Sequence, residues 1–166
     1  LITPQDEGVD LMQGWVTNGA LFESGRPVIL LPRGETAFPA IKRLMIAWDA
    51  SVEASKAVRD AIELMKGAEQ VDAVLIDPVP SFEGHGPEPG ADLATYLSRH
   101  GVSLTVHRLP KEGKDVAEIL QRMAGDLGAD LIVMGGFGHS RLRQRIFGGT
   151  TTSTIRETRV PVLMAH

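Results

Sequence analysis

The chain contains no cysteine, which removes disulfides, thiolate metal sites and cysteine nucleophiles from consideration. It has no excess of positive charge either. Seventeen Lys and Arg stand against 21 Asp and Glu, a formal net charge of −4, so there is no general basic field for nucleic acid. No apolar stretch nears the roughly 20 residues of a membrane span. No secretory leader is recognisable, and the chain begins at Leu1 rather than Met. His85, His100, His107 and His166 are scattered without H-x-x-H or H-E-x-x-H spacing, so no protein-built metal site is expected. What is present is ordinary for a globular protein: 43% hydrophobic and 23% charged residues. The expectation is a soluble, cytoplasmic α/β protein without a membrane or nucleic-acid partner.

The 166 residues are enough for one domain with a sizeable core and little more. From Arg43 onward, strand and helix patterns alternate. Leu44 to Trp48 is a short apolar run ended by Asp49-Ala50-Ser51, a buried strand followed by a helix start. Residues 51–66 carry Val58, Ala61, Ile62 and Met65 on one helical face. Val71 to Ile76 reads as a second strand, and Pro78 to Gly90 as a proline- and glycine-rich loop. Residues 91–100 read as a short helix stopped by Gly101. The alternation of Val102, Leu104 and Val106 suggests a half-exposed strand near a sheet edge. A helix over 114–127, a strand from Asp130 to Met134, a helix over 150–158 and a strand from Val162 to Ala165 complete the series. Strands and helices alternating in this way predict a doubly wound parallel sheet with right-handed crossovers. Ligands in such folds sit beyond the carboxyl ends of the strands, at a switch in strand order.

The first 32 residues fall outside this alternation. The ending Arg26-Pro27-Val28-Ile29-Leu30-Leu31 matches Val160-Pro161-Val162-Leu163-Met164-Ala165 in register. Residues 1–32 therefore read as the helix-and-strand tail of a preceding copy of the same domain, 33–41 as a linker, and 42–166 as the main domain. The alternative is a chance match of one amphipathic ending.

The most distinctive segment follows the fourth strand. Gly135-Gly136-Phe137-Gly138-His139 opens it, nine residues separate Gly138 from Gly148, and Gly148-Gly149-Thr150-Thr151 leads into the last helix. A buried strand emptying into glycines ahead of a helix start brings bare backbone N–H groups to an anion. A merely tight loop that needs small residues is the competing reading. Asp49 lies beyond the first strand and so on the same rim, where an Asp also serves commonly as a helix N-cap.

Together these residues resemble the universal stress protein family. Its nucleotide-binding members carry G-x2-G-x9-G-[S/T] after the fourth strand and an Asp at the end of the first. Gly135, Gly138 and Gly148 match the glycines, Asp49 matches the Asp, and Val160 to Met164 looks like the family's last strand. The resemblance implies a five-stranded parallel sheet flanked by helices and a stress-responsive module that binds ATP and signals rather than catalyses. It implies that Ala47, Asp49 and Leu75 receive the nucleoside end, and that Gly135, Gly138, His139, Gly148, Gly149, Thr150 and Thr151 lie about the phosphates. Any Mg²⁺ would come with those phosphates. It also implies pairing through last strands, so that Val28 to Leu31 would meet Val162 to Ala165 within a tandem or between two chains of a dimer.

One position departs from the pattern. Gly149 stands where the family has Ser or Thr, so that position offers an N–H and no hydroxyl. The helix start keeps its partial positive charge, and Thr151 offers a hydroxyl one turn on. Arg141, Arg143 and Arg145 would either neutralise phosphate or form a solvated face. Enzyme motifs are sparse. No Gly-Lys-Ser/Thr follows the glycines, and Ser140 lacks the closing glycine of a nucleophile elbow. No general base is placed for in-line water attack, so at most slow ATP hydrolysis is expected. The alternatives to a nucleotide module are a non-nucleotide interaction module that dimerises through its last strands, and a slow ATPase.

Overall fold

Short apolar runs bounded by turn residues become strands because burial on both faces suits branched side chains and a strand satisfies their backbone groups. The computed structural model describes residues 2–3, 20, 23–80, 86–136, 153–154 and 158–166. In chain order these form β1 (Ile2–Thr3), β2 (Val28–Leu30), β3 (Arg43–Ala47), α1 (Val52–Asp60), α2 (Ile62–Gly67) and β4 (Gln70–Ile76). There follow α3 (Ala91–Arg99), β5 (Thr105–Leu109), α4 (Val116–Leu127), β6 (Leu131–Gly135) and β7 (Val162–Ala165). Residues 153–154, in the expected last helix, are helical.

The strands make one sheet in the order β1-β2-β7-β6-β3-β4-β5. The five strands of 42–166 are parallel to one another, as expected. The sheet as a whole is larger than five strands and mixed. β2 joins β7 antiparallel, and the two-residue β1 joins β2 in parallel. The expected all-parallel, five-stranded sheet is thus extended, because the N-terminal segment fills an edge that β7 would otherwise leave open. Val28, Ile29 and Leu30 oppose Met164, Leu163 and Val162. This register is symmetric under the sequence match noted above: exchanging each residue for its counterpart returns the same three pairs. The parallel pair β1·β2 likewise echoes β6·β7.

Chain direction divides the core in two. From β3 the chain steps outward to β4 and β5, and its helices pack on one face, where Ala57, Val58, Met65, Leu93 and Leu97 meet Leu44, Ile46, Leu75 and Val133. After β5 it returns past β3 to β6. That crossover puts α4 on the other face, where Leu120 and Ala124 meet Met45, Val74, Ile132 and Met134. The reversal lies between β3 and β6, the adjacent strands from which the chain departs in opposite senses.

Two elements differ from the sequence expectation. The helix over 51–66 is broken at Ala61 (φ −96°, ψ 0°), which ends α1 and begins α2. The edge strand lies at Thr105–Leu109 rather than 102–106. Val102 is drawn instead into the core beneath α3, its N–H donating to Leu97 O at 3.0 Å. The edge is partly covered, since Arg108 Nε and Nη2 donate to Pro89 O at 3.0 and 2.8 Å. Gly90 makes that cover possible. Its φ is +89°, and a Cβ there would lie 2.9 Å from Val106 Cγ1.

Candidate functional site

The carboxyl ends of β3 and β6 form the rim where the sequence motifs meet. Ala47, the last residue of β3, is half-buried and stands opposite Met134 on one side and Val74 on the other. Trp48 extends the pairing by donating its N–H to Val74 O at 3.0 Å. Asp49 follows, exposed at the rim, while Gly135 closes β6 opposite Ala165 of β7. The register therefore brings Ala47, Asp49 and Gly135 to one end of two adjacent strands.

The turn between β3 and α1 is held by its own polar groups. Asp49 Oδ1 accepts from Ser51 N at 3.0 Å, and Ser51 Oγ accepts from Ala54 N at 3.0 Å. The N-cap is thus Ser51, not Asp49. Such a cap contributes roughly 1 kcal/mol, and Asp49 sets the turn that positions it. The turn forces Ala50 to φ +59°, which costs about 1 kcal/mol for a residue with a Cβ.

Gly135 has a structural duty that the spacing of the glycines did not announce. A Cβ at this position would lie 2.6 Å from Ala54 N and 2.9 Å from Glu53 C. The first glycine of the motif therefore admits the N-terminus of α1 to the end of β6. Leu75 is the penultimate residue of β4, one past Val74, the partner of Ala47, with its side chain wholly enclosed in the core. Gly138, His139, Gly148, Gly149, Thr150 and Thr151 lie outside the described residues, as do Arg141, Arg143 and Arg145.

Residues that sequence reasoning passed over complete the rim. Glu53, in the first turn of α1, is 8% exposed. Its Oε1 is 4.0 Å from His166 Nδ1, just beyond β7, and its Oε2 is buried with no hydrogen-bond partner among the described residues. Asp77, beyond β4, adopts φ +45°; it accepts from Lys111 N at 3.0 Å and donates its own N–H to Leu109 O at 2.8 Å. Val52 and Val79 are 57% and 69% exposed. A first-turn Glu reads as a helix-start residue from sequence, and only the closeness of β6 shows that this one is enclosed. Among the described residues no three His, Asp or Glu side chains gather to hold a metal ion, and no helix is long and apolar enough to cross a membrane.

With this geometry in place, the sequence pattern of the universal stress protein family matches residues 40–166. The chain belongs to the universal stress protein family. It is 28% identical over 142 residues to the universal stress protein Slr1230 of Synechocystis, covering 83% of this chain and 46% of that protein. Among solved structures, a universal stress protein from Archaeoglobus fulgidus matches with a TM-score of 0.71 at 19% identity, over 99% of this chain and 59% of that one. A universal stress protein solved in complex with cAMP matches with a TM-score of 0.56 at 16% identity, over 77% of this chain and 99% of that one. At these identities the structural matches establish the fold alone. The chain spans about half the length of the curated relative it matches.

Proposed function

We propose that this universal stress domain is a stress-response signalling module that binds an adenine nucleotide, ATP, across the carboxyl ends of β3 and β6. The observation that carries the reading is the convergence of Asp49 and Gly135 at the reversal of strand order. This is the crevice that doubly wound sheets use for ligands. Asp49 commits Oδ1 to its own turn, which leaves its second carboxylate oxygen to accept from the base or ribose. Ala47 and the neighbourhood of Leu75 flank that end of the ligand. The phosphates would meet the N–H groups of Gly138, Gly148, Gly149, Thr150 and Thr151, with His139 beside them. The structural relative solved with cAMP supports a nucleotide as the ligand class. The domain works in this reading through ligand-dependent conformation or partner choice, in the cytoplasm, with no catalytic residue assigned.

In the same reading, residues 1–32 are the end of a preceding copy. The symmetric register of β2·β7 and the greater length of two of the relatives, Slr1230 and the Archaeoglobus protein covered to 59%, support a tandem protein. Pairing through last strands then occurs within one chain. That favours tandem pairing over the alternative of a module that dimerises through β7, whose outer edge β2 already occupies.

Calorimetry of the purified chain with Mg-ATP, with AMP and cAMP alongside, tests the reading. Saturable heat with ATP, weakened at least tenfold by Asp49→Ala, is the expected result. No heat and no thermal shift at millimolar nucleotide would sink it.

A further inference from the structure

We draw no further inference here: the strongest candidate, the side-chain cluster on β4 and β5 in which His107 Nε2 meets Oδ1 of the buried Asp72 at 2.8 Å, carries nothing, because no third His, Asp or Glu among the described residues joins it to hold an ion and nothing in the structure shows what would meet the other ring nitrogen.

Discussion

The two ends of the sheet are built to different standards. At the amino end, Asp130 Oδ2 accepts from both Lys42 N and Arg43 N, at 2.8 and 2.9 Å, and Asp130 N donates back to Arg43 O. Lys42 O accepts from Glu69 N and Gln70 N, and Lys42 Nζ pairs with Glu69 Oε1 at 3.2 Å. One carboxylate and one carbonyl thus tie β3, β4 and β6 together. At the carboxyl end of the same strands, Ala50 and Asp77 sit at positive φ, Glu53 Oε2 has no partner among the described residues, and Val52 and Val79 face solvent. Local conflicts of this kind gather at functional sites and persist because the surrounding structure holds them in place. On the nucleotide reading proposed above, the amino rim serves stability alone and the carboxyl rim serves a ligand as well.

Substitutions at the two rims can break this contrast or sharpen it. The largest effect is expected at Gly135→Ala, where the new methyl meets backbone rather than a flexible side-chain end. Overpacking there should cost about 1–3 kcal/mol in urea unfolding. A loss below about 0.5 kcal/mol, the range of an unremarkable surface change, would show that α1 slides freely and that its close approach is not needed. Next comes Asp130→Ala, which strips an acceptor from two N–H groups. It should cost about 1–2 kcal/mol and leave ATP affinity unchanged. A parallel loss of affinity would mean that the rims are coupled after all.

The contrast predicts a gain at Ala50→Gly. Glycine accepts φ +59° without the penalty, so the variant should unfold about 1 kcal/mol harder. A lower urea midpoint would show that the added freedom of the unfolded chain outweighs the strain relieved. Smallest is Val79→Ser, with an expected stability change within about 0.5 kcal/mol. A clear fall in ATP affinity with stability unchanged would extend the ligand-facing rim as far as the β4 loop.

Much of the fold was legible because its strands are short, apolar and separated by amphipathic helices. The end of β7 at Ala165 and the pairing of Val28 to Leu30 with that strand were both readable, since the Pro-led endings match. Alternation puts the start of the edge strand three residues before Thr105, where it begins. Val102 and Leu104 alternate with polar neighbours as a strand would, yet Val102 is buried beneath α3 before the ladder starts, a tertiary preference that alternation cannot reveal. The break at Ala61 was hidden for a related reason, because apolar spacing continues smoothly from α1 into α2. At the site, spacing placed Asp49 and Gly135 on one rim. It did not show that Ser51 holds the cap, that Gly135 answers to α1, or that Glu53 is enclosed. The cap is decided by the local turn geometry, and the other two depend on how closely α1 approaches β6, which is a distance and not a pattern.

The seam between β2 and β7 joins residues from opposite ends of the chain through three paired positions. Closing so long a loop costs entropy that only the finished sheet repays, so this seam should zip last. By the same logic it should come apart first, as a local opening well below the global unfolding free energy. The amides of Val28 to Leu30 should then exchange with deuterium ahead of those in β3 and β4. Each such opening would briefly bare the edge of β7 and give the molecule a transient face that its resting state keeps closed.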